Sequence, residues 1–190
     1  MRTWPYREAD LVLKVMTPRH GRLSLLARSG RRSQRRFGSP LDLFDHGEFE
    51  IKAGRGSLNL VHTFTPISSF RALREDLDRM VAASTLCEAA DLLSHDEVTE
   101  GAPESFEVLR TGLTAIAESS DRREALRALY LGVASLLAIA GYLDPALRKM
   151  PTARHLNELL DHLERCTDRQ VQSRAALAAS VAAIRAAGED

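Results

Sequence analysis

Residues 11–27, LVLKVMTPRHGRLSLLA, decide how the first third of the chain folds. Leu11, Leu13 and Val15 alternate with more polar neighbours, and the same period returns at Leu23, Leu25 and Ala27 after His20-Gly21. Period-2 alternation broken by a glycine turn predicts half-buried antiparallel strands. Working outward, a third run spans Leu43 to Ile51, and a fourth carries Leu58, Leu60, His62 and Phe64 beyond the turn Ala53-Gly54-Arg55-Gly56. Four or five short strands within ~65 residues suit a small closed barrel or a meander.

After Pro66 the period becomes helical. Phe70, Leu73, Leu77, Met80, Ser84 and Cys87 fall on one predicted helix face, and Phe106, Leu109, Leu113 and Ile116 on a second. Ser105 and Asp121 are expected to start the second and third helices. Leu126 to Leu143 is apolar nearly all round, which predicts the central helix of a bundle. Beyond Pro145 and Pro151, Leu156, Leu159, Leu160 and Leu163 mark a fourth helix. A fifth is expected with Val171, Ala175, Ala178, Val181 and Ile184 inward. The expected class is α+β: a β module over residues 1–68 and an α-helical one over 69–190.

The 190 residues carry 26 basic and 26 acidic side chains, a formal net charge of zero. That balance conceals a split. Residues 1–60 hold 12 basic and 6 acidic side chains, residues 61–190 hold 14 and 20, and 23 of the basic residues are arginine. Charge asymmetry between halves points to a nucleic-acid or membrane face on one of them. At 44% apolar and 27% charged the composition excludes a disordered or fibrous chain. The longest uncharged stretch, Ala128 to Leu143, falls short of the ~20 apolar residues of a membrane span and is broken by Gly132 and Gly141. The N-terminus, MRTWPYREAD, lacks the apolar core of a signal peptide, so a cytoplasmic location is expected.

Between Asp10 and Asp42 there is no acidic residue, yet Arg19, Arg22, Arg28, Arg31, Arg32, Arg35 and Arg36 lie within that interval. The last four belong to GRRSQRRFGS, a Gly- and Ser-containing segment between two predicted strands. Guanidinium groups pair bidentately with phosphate oxygens and stack on bases, so such a cluster suits an irregular chain of phosphates. Phe37 offers an aromatic face for a base, and Arg55 extends the basic path from the neighbouring hairpin. The plainer alternative is a solvated loop that only keeps the protein soluble.

Other candidate chemistry is thin. The six histidines, at 20, 46, 62, 95, 155 and 162, show no HExxH or His-x-x-x-His spacing, so no metal is expected. Cys87 reads as a core residue, and Cys166 has no CxxC partner. Asp42, Asp45, Glu48 and Glu50 read as solvent-facing rather than as an acid/base pair. No GxSxG, Walker or GxGxxG motif is present, and no catalytic residue or cofactor is assigned.

The order T-x-x-H-G-R-L-S-L-L-A-R-x-G-R-R at Thr17 to Arg32, followed by Ser33, Phe37 and Leu41–Phe44, resembles the N-terminal region of the bacterial recombination-mediator family RecO. Ala53 to Leu58, Phe70 to Leu77, Glu88 to Leu93, Phe106 to Leu109 and Leu137 to Tyr142 resemble later landmarks of that family in the same order. The resemblance implies an N-terminal OB-like barrel and a C-terminal helical domain. It implies binding of single- and double-stranded DNA, annealing, and work in the RecF pathway with RecR and the C-terminal tail of the single-stranded DNA-binding protein SSB. RecA loading on SSB-coated DNA is the implied outcome, near the nucleoid.

Two departures modify those expectations. RecO-like chains begin with a strand before the turn that corresponds to Trp4-Pro5-Tyr6; this chain starts almost on it, so either the first strand is missing or the start lies upstream. A four-cysteine zinc module is expected to be deleted, because Met150 stands where its first cysteine would be. The rival functions are a protein-interaction module acting through the helices alone, and a general RNA- or single-strand-binding OB protein.

Overall fold

The computed structural model describes residues 2–6, 8–30, 37, 41–52, 54, 58–96, 98–143 and 153–186. Five strands come first: β1 (Arg2–Tyr6), β2 (Asp10–Thr17), β3 (Gly21–Ala27), β4 (His46–Lys52) and β5 (Asn59–Ser68). They form one sheet in the order β1-β2-β3-β5-β4. Neighbours are antiparallel except β3 and β5, which run parallel with Leu25 opposite Asn59 and Leu26 opposite Leu60. This is the connectivity of an OB barrel, open between β1 and β4.

The alternation at 11–27 becomes the sheet's two faces. In β3, Gly21, Leu23, Leu25 and Ala27 are buried, while Arg22, Ser24 and Leu26 are half-buried. Leu11, Leu13, Leu23, Leu25, Val61 and Phe64 make the inner core, with Phe49 against Phe64 at a ring separation of 4.6 Å. Between β2 and β3 the Thr17 hydroxyl accepts from the His20 N–H and donates to the Gly21 carbonyl, both at 3.0 Å. Gly21 sits at φ +61°, and a Cβ there would lie 2.0 Å from the Val98 carbonyl oxygen, so only glycine fits this turn.

Among the described residues six helices follow: α1 (Ala72–Glu75), α2 (Leu77–Leu93), α3 (Ala102–Glu118), α4 (Arg122–Ile139), α5 (Ala153–Thr167) and α6 (Arg174–Ala186). The fold class is as expected, but several details are corrected. Trp4-Pro5-Tyr6 is not a turn; it lies within β1, with Trp4 opposite Val12 and Tyr6 opposite Asp10. The predicted first helix is broken at Asp76, whose extended backbone (φ −133°, ψ 130°) lets its carboxylate cap the Arg79 N–H at 2.8 Å. The break resets the helical phase, leaving Leu77 69% exposed rather than inward.

The central helix is α2, not the segment from Leu126. Val81 to Ala83, Thr85 to Ala90, Asp91 and Leu92 are all buried, whereas Leu131 in α4 is half exposed. α3 starts at Ala102 behind Gly101 rather than at Ser105, while Asp121 caps α4 as expected, accepting from the Glu124 N–H at 2.8 Å. In α6 the inward residues are Leu177, Ser180 and Val181; Ala175 and Ala178 face solvent. Met150, the position that bears on the zinc module, lies outside the described residues.

The two halves are joined by an ionic tie. The Arg22 guanidinium donates to the Asp91 carboxylate at 3.0 Å and to the Asp91 carbonyl at 2.7 Å. Its Nε reaches Asp96 at 2.7 Å, and Lys14 approaches Asp91 at 3.5 Å. Met16 of β2 and Phe44 belong to the helical core, so the apolar packing is also continuous across the junction.

Candidate nucleic-acid interface

The basic residues expected to meet phosphates fall into three groups. Arg19 is exposed in the β2–β3 turn, and Arg28 is exposed just past the end of β3. Arg31, Arg32, Arg35, Arg36 and Arg55 lie outside the described residues. Arg22 is corrected: its side chain is only 11% exposed and is taken up by Asp91 and Asp96, so it holds the molecule together rather than facing a ligand.

Phe37 is corrected as well. It is 0% exposed and packs in the inner core of the β module with Leu25 and Leu41, so its ring has no face to offer a base. The chain buries an aromatic anchor beside its arginine-rich segment. Asp42 and Asp45 do not simply face solvent; both pair with Arg74, at 3.5 and 3.0 Å.

Arg19 lines the mouth of a cleft of about 620 Å³ between the inner side of the sheet and α3. Phe44, Phe49, Phe70 and Phe106 contribute to its walls. His46 stands there with ring centroids 6.4 Å from Phe70 and 5.9 Å from Phe106, and its Nδ1 is 3.3 Å from the Ser68 hydroxyl. Burial, reinforced by the Arg110 guanidinium and partly opposed by Glu107, holds the imidazole below its ordinary pKa.

The opposite, outward side of the sheet carries a feature that strand alternation alone did not single out. Trp4 lies opposite Val12, Val12 opposite Leu26, Leu26 opposite Leu60, and Leu60 opposite Lys52, one residue from each strand in a single row. Trp4 is 38% exposed, and Tyr6, two residues along the same strand, is 42% exposed. At the far end of the row Arg28, Lys52, Leu60, Val61 and His62 line a concavity of about 180 Å³. The signal available in the sequence was Trp4-Pro5-Tyr6 itself, once placed on a strand instead of a turn.

Among the described residues no group of three or more His, Cys, Asp or Glu is placed to hold a metal ion. No helix among them is long and apolar enough to cross a membrane. Cys87 is a core residue, and burial pushes its thiol up in pKa.

Comparison with known proteins agrees with this architecture. Residues 1–70 match the family model described as Recombination protein O N terminal. A DNA repair protein RecO of Symbiobacterium thermophilum is 34% identical over 133 residues, 70% of this chain and 51% of that protein. The RecO of Anaeromyxobacter sp. strain K is 34% identical over 149 residues, 78% of this chain and 58% of that protein. A Nocardioides relative is 33% identical over 144 residues, 75% and 57% of the two chains. The aligned part thus spans little more than half the length of these curated relatives. Through its N-terminal domain, residues 1–70, the chain belongs to the RecO family.

Proposed function

We propose that this chain is a non-enzymatic DNA-binding mediator of recombinational repair. The observation that carries the reading is the acid-free, arginine-rich run between Asp10 and Asp42, set on a five-stranded sheet of OB connectivity. Arg19, Arg28, Arg31, Arg32, Arg35, Arg36 and Arg55 supply the phosphate contacts, and Arg22 is withdrawn from that set by its partners. A basic segment that screens two phosphate chains while making few base-specific contacts brings complementary strands together, which is annealing. Single- and double-stranded DNA are both taken by such a surface.

The helical half, with 20 acidic against 14 basic residues beyond position 60, repels phosphate and serves as the protein-contact face. The partners of this reading are RecR and the SSB tail, and through them RecA on SSB-coated DNA. The family match supports that assignment, and the location that goes with it is the cytoplasm around the nucleoid.

The test is fluorescence anisotropy of a labelled oligo(dT) strand across a salt series. Log affinity is expected to fall with log salt by about 0.7 per neutralised phosphate. Replacing Arg31, Arg32, Arg35 and Arg36 with Ala should lower affinity at least tenfold and flatten the slope by as much as ~3, without moving the melting temperature. A wild-type slope near zero overturns the proposal. So does a quadruple variant that binds as tightly as the parent.

A further inference from the structure

An edge strand presents a row of unpaired N–H and C=O groups, and proteins ordinarily guard it with proline, a bulge or charge. The open sheet has two edges, β1 and β4, and they are guarded differently. β1 carries Pro5, which has no N–H to give. β4 has no proline, and β5 is its one ladder partner among the described residues. Its register against β5 slips twice, and each time the extra residue lies on β5. Glu50 faces Thr63 and Ile51 faces Val61, which passes over His62; Gly47 faces Pro66 and His46 faces Ser68, which passes over Ile67. β4 itself therefore runs unbroken from His46 to Lys52, with Glu48, Glu50, Ile51 and Lys52 exposed along it.

The guard left to β4 is its charge, and that charge suits a second β4. Two identical strands related by a twofold axis normal to the sheet pair antiparallel. The axis must pass through a residue, because a slip by one sets an outward side chain against an inward one. Alternation sends Glu48, Glu50 and Lys52 outward, while Phe49 and Ile51 point inward with Phe64 and Val61. An axis at Phe49 sets each Glu48 against the other Glu50, and an axis at Lys52 sets lysine on lysine. An axis at Ile51 matches Glu50 with Lys52 but forms only three pairs within β4. With the axis at Glu50, each Glu48 meets the other Lys52 and each Phe49 meets the other Ile51, which is 38% exposed in the single molecule. Opposite-charge pairs and aromatic pairs with β-branched residues are those that stabilise neighbouring strands. Glu50 alone meets its like, and its carboxylate is drawn back to β5 by the Thr63 hydroxyl, which donates to it at 2.9 Å.

We propose that this chain forms a twofold dimer by antiparallel pairing of β4 with the β4 of a second copy, centred on Glu50. Two five-stranded sheets then become one continuous sheet whose outer edges are both β1 and its proline. The contact uses none of the arginines assigned above to phosphate, so it stands apart from the nucleic-acid reading.

The experiment is sedimentation equilibrium of the full chain over a concentration series, with backbone hydrogen exchange followed in parallel. The mass should rise from 21.0 kDa toward twice that value, and exchange at residues 46–52 should slow as the dimer fills. Glu48→Lys and Lys52→Glu each set like charges opposite one another, and each alone should weaken association by about tenfold or more. Mixed together, the two variants should associate again, because each lysine of one strand then faces a glutamate of the other. Glu50→Gln should tighten the dimer by removing the one like-charged pair. The mass and exchange of the parent need no variant, so they stand as a test even where a variant does not fold. A chain that stays at 21.0 kDa overturns the proposal, whether its β4 exchanges fast or is protected by pairing within the molecule. So do a dimer whose β4 exchange is unmoved, single reversals that associate like the parent, and a mixture that stays apart. A Glu50→Gln dimer weaker than the parent overturns the register centred on Glu50.

Discussion

His46 shows how one side chain couples the two halves to pH. Its ring lies between Phe70 and Phe106, and the groups facing it are Ser68 from β5 and Arg110 and Glu107 from α3. Burial and Arg110 disfavour the charged imidazole, so the folded pKa lies below the unfolded value of 6.5. A depressed pKa contributes stability that is complete above the unfolded value and is lost as pH falls through the folded one. The contribution of His46 to the melting temperature should therefore be constant above about pH 6.5 and decline below it, and His46→Gln should remove that share of the decline. Scanning calorimetry of both proteins at matched pH values checks it. Nothing in the sequence around Asp45-His46-Gly47 announces this, because the two rings that flank the imidazole come from 24 and 60 residues downstream. Phe37 misled for a related reason: beside arginines an aromatic reads as a ligand contact, and only the tertiary fold shows that the core claims it.

α2 is held at the centre by a contact between large and small residues. A Cβ on Gly112 of α3 would lie 2.6 Å from Leu86 Cδ2, and one on Gly132 of α4 would lie 2.7 Å from Leu86 Cδ1. Leu86, 0% exposed, thus fills the space that two glycines leave on two neighbouring helices. Leu86→Ala should cost about 3–5 kcal/mol, the range for emptying a well-packed leucine site. Gly132→Ala alone should destabilise by about 1–3 kcal/mol through overpacking. Combined with Leu86→Ala it should instead stabilise, because the new methyl enters the vacated space and Ala favours the helix. Urea denaturation of the three variants reads the cycle. The sequence pattern located four of these helices within a few residues and ran α1 and α2 together as one. It placed the centre wrongly because α2 is rich in alanine and contains Glu88 and Asp91, which a periodicity argument counts against burial. Both acids are satisfied in the fold, Glu88 by the Gln172 and Ser173 N–H groups at 2.8 and 3.0 Å and Asp91 by Arg22.

At the scale of the whole molecule, the junction depends on that last pair. Asp91 is 1% exposed and Arg22 11%, so removing one partner strands the other out of water. Asp91→Ala should cost about 3 kcal/mol or more, whereas loss of the 55%-exposed Asp96 should cost under about 1 kcal/mol. Equilibrium unfolding of the two single variants decides between a buried tie and a surface decoration. The split of charge between the halves was legible in the sequence, and so was the arginine run. That Arg22 belongs to the fold was not, since Arg22 and Asp91 are 69 residues apart and no local pattern pairs them.

The depth of that carboxylate has a practical corollary. Mobile ions damp interactions between exposed charges over ~10 Å at 0.1 M salt, but they do not enter where Asp91 sits. Concentrated salt will thus loosen whatever Arg19 and Arg28 hold at the surface while the clasp between the halves stays shut. On the function proposed above, a strand held at the surface is expected to wash off without the molecule being taken apart, so that binding and integrity can be titrated on separate axes.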